Sequence, residues 1–176
     1  MDFFADINLN IKSIKDISEI YLLKINGIYF SELSSLQIIY IIYGDIKVFV
    51  DGEYKIYKKG DLVILNQFEN KFIYSNEDNL LLYMKVSNYY LKNLGEHYYT
   101  SRFLNLVEDK EIKNNMLKNM ISLYNLDTTD EEIYLNIIYQ MIQSLVRANI
   151  CPHCTFNKVE EKSYYLEKMI EYVKKR

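Results

Sequence analysis

The sequence predicts an α+β protein, a small antiparallel β-barrel or sandwich followed by helices. Gly44, Gly52 and Gly60 stand eight residues apart, each followed by an acid, and the segments between them, "IKVFV" and "YKIYKK", are rich in β-branched and aromatic residues. Strands punctuated at that spacing mark a sandwich or a barrel. Beyond Val86 the apolar residues recur at three- and four-residue intervals, the helical period. Strands first and helices afterwards make the class α+β.

Taken in order, the strand candidates are 19–25, 37–43, the two segments already quoted, 62–66, 71–75 and 80–87. Asp51-Gly52 between the quoted segments is a hairpin signal, because a type I′ turn needs φ > 0 at both central residues. Several of these runs are apolar on both faces, as expected where one face fills a barrel and the other lies under helices. In "KEIKNNMLKNMISLY" the residues Ile112, Met116, Leu117, Met120, Ile121 and Tyr124 fall on one helical face. A second helix is expected near Thr129, with Thr129 and Glu132 as a capping box. Its apolar series Tyr134, Ile138, Met141, Leu145, Ala148 has heptad spacing, which suits a seam between two helices or a helix packed on its own barrel. Pro152 ends that helix or sits just past it. A third helix is expected at 158–175, with Val159, Leu166, Met169, Ile170 and Val173 on its apolar face.

Composition narrows the function. At 176 residues the chain suits one domain, or one with an appendage, and its 49% hydrophobic and 26% charged content is ordinary for a globular protein. A net charge of −3 leaves no basic face, and "KKR" at 174–176 is the only basic end, so DNA binding by this chain alone is not expected. The N-terminus "MDFFADINLNIKS" is acidic and is not a secretory signal. "IIYIIY" and "LLLYM" are far shorter than the ~18 residues of a membrane span. Two cysteines without a signal point to a cytoplasmic protein with reduced thiols.

Residues 37–87 carry a further pattern. "QIIYIIYGDIKVFVDGEYKIYKKGDLVILNQFENKF" resembles the sensor barrel of AraC-family transcription regulators, a branch of the cupin fold. "LLLYMKVSNYYLKNLGEHYYTSRFL" resembles the strand and segment leading into that family's helical pair, and "YLEKMIEYVKKR" is similar to the first helix of its DNA-binding domain. The resemblance runs from about residue 37 to the end, carried by the order of the segments. It implies a cupin-like jelly roll with an N-terminal arm at 1–90, a helical dimerisation segment at 91–150, and a linker with the first helix of a DNA-binding domain at 151–176. Both helix-turn-helix units of that domain are absent, so DNA would be reached only through a part not included in this sequence. The implied function is effector sensing and dimerisation in a transcription regulator, not catalysis.

The departures from the cupin pattern concern the metal. Cupin metal sites use a histidine pair and a carboxylate on one strand and a third histidine after the "GD" strand. The carboxylate position falls on Gln37, the pair falls among Phe30–Leu33, and the third histidine position falls on Lys71. No cofactor is therefore expected. By period-two alternation Gln37, Ile39 and Ile41 should point into the barrel, with Lys71 and Ile73 converging on them. These five form the expected ligand site, for a sugar-like or anionic effector, unless Lys71 snorkels to solvent at the barrel mouth. The expected partner is a second copy of the chain, met through Ile138, Met141 and Leu145. "CPHC" at 151–154 has the spacing of a redox motif but follows a helix where such motifs follow a strand. Cys151, His153 and Cys154 could also supply part of a zinc site shared between subunits, lacking a fourth ligand. The other readings are a stand-alone cupin enzyme, such as a sugar isomerase or dioxygenase, and a ligand-free dimerisation module with a barrel packed solid.

Overall fold

The computed structural model describes residues 9–14, 16–50, 52–127 and 129–151. Among the described residues nine strands come first: β1 (Leu9–Ile14), β2 (Ser18–Leu23), β3 (Gly27–Phe30), β4 (Ser35–Tyr43), β5 (Asp45–Val50), β6 (Glu53–Lys58), β7 (Leu62–Leu65), β8 (Lys71–Ser75) and β9 (Leu80–Ser87). Four described helices follow: α1 (Asn88–Leu94), α2 (Glu96–Thr100), α3 (Lys110–Asn125) and α4 (Glu131–Ala148). The expected third helix at 158–175 and Pro152 lie outside the described residues.

All ladders are antiparallel, in two sheets ordered β1-β2-β9-β4-β7 and β3-β8-β5-β6. The pairing is nested: β5 with β6, β4 with β7, β3 with β8, β2 with β9. One long hairpin whose arms alternate between two facing sheets is the jelly-roll arrangement that cupins share, so the fold is α+β and cupin-like. Among the described residues no ladder joins one sheet to the other; the sheets face each other without closing into a continuous barrel.

Two turns show how sequence sets this path. Val50 pairs with Glu53, leaving a two-residue connection in which Gly52 has φ +89°, as the hairpin signal required. At Gly44 the chain leaves the five-stranded sheet for the four-stranded one with φ +76°, and a Cβ there would sit 2.3 Å from the Asp78 carbonyl oxygen. Only glycine fits that crossing.

Two apolar layers result. Between the sheets lie Tyr21, Ile39, Ile41, Val48, Ile73 and Tyr83 with their neighbours. On the other side of the five-stranded sheet, Ile20, Ile38, Ile64, Leu82 and Met84 form a second core with Met116, Met120 and Leu123 of α3 and the buried face of α4. The five-stranded sheet is thus covered on both faces, which is why its strands read as continuous apolar runs. Its β7 edge is also covered. The Ile64 N–H donates to the Asn105 carbonyl (2.8 Å) and the Val107 N–H to the Leu62 carbonyl (3.0 Å), so the segment after α2 occupies hydrogen-bonding positions that a bare edge would leave open.

Two expectations about α4 are corrected here. Ile138, Met141 and Leu145 are fully buried against the chain's own sheet and α3, so they cannot form a dimer seam without leaving the core. The heptad stripe is an intramolecular face. The Thr129–Glu132 capping box is also not formed: the helix starts at Glu131 with Asp130 as N-cap and no side-chain cap bond. Starting there puts Glu132 one position short of where a capping-box acid reaches back. By contrast α3 is capped, Asp109 Oδ1 accepting from the Ile112 N–H at 3.0 Å.

Candidate functional site

The structure gathers Gln37, Ile39 and Ile41 of β4 with Lys71 and Ile73 of β8 between the sheets, all buried. Period-two alternation placed their direction correctly. Ile39, Ile41 and Ile73 fill that space with Tyr21, Val48 and Tyr83. Tyr83 stacks on Tyr21 with ring centroids 5.2 Å apart and meets Tyr29 edge-on at 5.7 Å.

Lys71 does not snorkel. It is 6% exposed, and its Nζ donates to the backbone carbonyls of Ser35 (3.3 Å) and Asn66. Burial pulls its pKa down to about 7, opposed by the Glu69 carboxylate, assisted by Arg102 and again opposed by Glu32. The Glu69 carboxyl is itself pushed up by burial, against hydrogen bonds from the Asn66 side chain (2.8 Å) and N–H (3.1 Å). Gln37 Nε2 donates to the Glu32 carbonyl at 2.9 Å, leaving its buried Oε1 without a partner.

These contacts occupy the positions where a cupin would place its metal ligands. A lysine committed to two carbonyls and an amide committed to a third offer no donor set for a divalent ion, which prefers imidazole or carboxylate. Among the described residues no three His, Cys, Asp or Glu side chains come together as a metal cluster. The residues present do not fit that ion.

Open space lies elsewhere. A groove of about 500 Å³ runs along the end of the five-stranded sheet, where the β1–β2 turn, the start of β4 and the β9–α1 junction meet. Its walls include Ser18, Glu32, Ser35, Lys85, Ser87 and Asn88. A cleft of about 330 Å³ opens beside β5 and β6, lined in part by Val48, Tyr57, Glu69 and Asn105. None of the five expected ligand residues lines either one. Gln37 and Lys71 instead stand directly behind the groove, each holding the backbone of a residue, Glu32 or Ser35, that lines it.

The groove has two features of a built recess. Asn88 is 7% exposed and Ser35 3% exposed, yet both amide atoms of Asn88 and the Ser35 hydroxyl have no hydrogen-bond partner. Their backbones are fixed, since the Asn88 N–H donates to the Ser34 carbonyl (3.2 Å) and Ser87 caps α1 by accepting from the Tyr90 N–H (3.1 Å). A buried polar group without a partner costs roughly 1–3 kcal/mol. The charges beside it are balanced differently. Lys85 Nζ lies 2.7 Å from Glu19 and 3.7 Å from Glu32. Burial works against its charge, and the bonded Glu19 with Glu32 more than offsets this, so its pKa is raised. With Asp16 also on the wall, three carboxylates face one lysine among the described lining residues.

Cys151 is the last described residue of the "CPHC" stretch. Its N–H donates to the Arg102 carbonyl at 2.8 Å, and its sulfur is disulfide-bonded. It is therefore neither the reduced thiol expected of the sequence nor a zinc-ligating thiolate in this structure; His153 and Cys154 lie outside the described residues. No helix among the described residues is long and apolar enough to cross a membrane.

Sequence reasoning missed Asn88 and Ser35 altogether. Nothing in "VSNYY" or "LSSLQ" announces an amide or hydroxyl that the fold will bury without a partner. The nearest signal was Ser87, a helix N-cap type at a strand-to-helix switch.

No protein-family model matches the chain, and no curated protein does. Several solved structures superpose on part of it. Ethanolamine utilization protein EutQ from Salmonella typhimurium LT2 is 17% identical over 40% of this chain and 58% of its own, with a TM-score of 0.37. The cupin domain of Schizosaccharomyces pombe Cnp3 is 16% identical over 47% and 63%, at 0.40. A cupin superfamily protein from Desulfitobacterium hafniense DCB-2 is 11% identical over 49% and 82%, at 0.43. This chain thus spans less than two thirds of EutQ and of the Cnp3 domain. Overlaps this partial carry no argument; the strand order carries the fold on its own.

Proposed function

We propose that the chain is an effector-sensing domain, of the kind AraC-family regulators carry, which binds a small neutral polyhydroxyl molecule in the groove at the end of the five-stranded sheet. The observation behind it is the unpartnered Asn88 amide and Ser35 hydroxyl, buried at the wall of a recess large enough for a small ligand. An amide offers both donors and an acceptor, and a hydroxyl adds one of each, which matches the alternating groups of a sugar or polyol. An anion is disfavoured, because Lys85 already faces Glu19 and Glu32 and the remaining charge of the wall is negative. Binding would satisfy groups that the free protein leaves bare, and a ligand with that preference raises the stability of the native state by mass action.

The competing reading is a ligand-free module, favoured by the filled space around Ile39, Ile41 and Ile73. A thermal-shift panel of neutral monosaccharides and polyols separates the two. Wild type should gain melting temperature with at least one member of the panel. Asn88→Leu and Ser35→Ala should lose most of that gain while being no less stable without ligand, since each removes an unsatisfied buried group. A ligand that stabilises Asn88→Leu as much as wild type excludes the groove. A panel without effect on wild type favours the ligand-free module.

A further inference from the structure

The cleft beside β5 and β6 lies where the two sheets fail to join. β6 is the last strand of one sheet and β7 of the other, and Asn105 belongs to the segment bonded along the β7 edge. Strand alternation turns Val48 and Val50 of β5 and Glu53, Lys55 and Tyr57 of β6 to this side, and Glu69 and Asn105 complete the wall. The floor is apolar, since Val48 and Tyr57 belong to the core between the sheets.

Polar groups on this wall are short of partners. Tyr57 is 4% exposed and lines the cleft, yet its hydroxyl bonds to none of the described residues. Burial first, then the Asp61 and Glu69 carboxylates, push its pKa up, so the phenol keeps its proton. Asn105 Nδ2 donates to the Ile64 carbonyl at 2.9 Å, while its Oδ1 accepts from none of the described residues. Each Glu69 oxygen accepts one bond from Asn66 and keeps a lone pair. Burial raises the Glu69 pKa by more than Lys71 and Arg102 lower it, so the chain compensates that charge only in part. The ion pairs among the described residues lie elsewhere, at Lys24 and Lys85.

We infer that this cleft binds a primary ammonium carried on a short aliphatic stem. Such a head has one positive charge and three N–H donors, and Glu69, the Tyr57 hydroxyl and Asn105 Oδ1 are the acceptors that the wall offers it. The stem lies along Val48 and Val50, toward Glu53 and Lys55. Two carboxylates against one lysine in the lining disfavour an anion, and a neutral polyol brings no charge to Glu69. The inference is independent of the effector groove, which shares no lining residue with the cleft.

Isothermal titration calorimetry on the full chain at pH 8 tests it, with n-butylamine, 1,4-diaminobutane and 4-aminobutanoate as probes. Wild type should give saturable heat with at least one of them. Tightest binding of 4-aminobutanoate would add Lys55 to the site, and tightest binding of the diamine would add Glu53; either supports the ammonium head. Trimethylbutylammonium keeps the charge and stem but has no N–H, and should bind about tenfold more weakly. Tyr57→Phe removes an unpartnered hydroxyl, so it should fold as wild type does and lose about tenfold in affinity for the amine. Glu69→Gln should lose at least as much, and the Tyr57 variant keeps the test decisive if that one misfolds. Asn88→Leu, in the groove, should leave amine affinity unchanged. No saturable heat with any probe, equal affinity for the trimethyl analogue, wild-type affinity in Tyr57→Phe, or lost affinity in Asn88→Leu would each overturn it.

Discussion

The outer face of the five-stranded sheet carries Ile38, Ile64 and Met84 at 0% exposure beneath α3 and α4. The outer face of the four-stranded sheet carries Phe30 and Tyr54 more than 60% exposed. The two sheets share one interior and one nested hairpin, so the difference comes from where the chain goes after β9. Ser87 caps α1, α1 turns the chain back over the sheet that contains β9, and the described helices downstream pack there. The composition of the uncovered sheet is nearly as apolar as that of the covered one. What separates them is the path of the chain.

Three experiments break or sharpen that contrast. The largest effect is expected from truncating the covered face. Met141→Ala should cost about 2–5 kcal/mol in urea unfolding, as large-to-small changes in a packed core do, whereas Ile56→Ala on the uncovered sheet should change monomer stability by less than about 0.5 kcal/mol. Equal losses at the two sites would remove the distinction.

Next comes Lys71, buried between the sheets. Its folded pKa of about 7 lies below the ordinary lysine value of 10.5. Between those values the unfolded chain binds a proton that the folded chain does not, so stability rises with pH through that window, and the penalty for burying the charge is fully present below about 7. The slope from this group approaches about 1.4 kcal/mol per pH unit. Lys71→Met should flatten the rise between pH 7 and 10 in paired denaturation curves; parallel curves would show that the burial does not govern protonation.

The smallest effect contrasts the two long helices over the covered sheet. Asp109→Ala removes a cap bond and should cost about 1 kcal/mol, whereas Asp130→Ala should stay within about 0.5 kcal/mol. Similar thermal shifts for the two would indicate that Asp130 caps α4 after all.

Much of this fold was legible because local chemistry decided it. The aliphatic runs that became β4, β7 and β9 and the Asp51-Gly52 hairpin depend on residues close in sequence. β3 was missed because "GIYF" is four residues long, too short to show alternation. α1 and α2 were missed because seven and five residues hold less than two helical turns. The heptad of α4 was read as an intermolecular seam because periodicity reports that a helix has an apolar stripe, not which body covers it. Inward direction at Gln37 and Lys71 followed from the strand period, but their commitment to backbone carbonyls depended on Glu32, Ser35 and Asn66, which no spacing brings together. Asn88 and Ser35 were invisible for a stronger reason. A polar side chain is orphaned only by the whole of its surroundings.

The nested pairing also governs when this protein can fold. β9 lies between β2 and β4 in the middle of the larger sheet, so neither neighbour has its central partner until the chain through Ser87 exists. Such remote pairings place folding on the millisecond-to-second scale of all-β topologies. Until β9 is in place the β1-β2 and β4-β7 pairs have no strand to join them, and the helices can settle only onto a surface completed last.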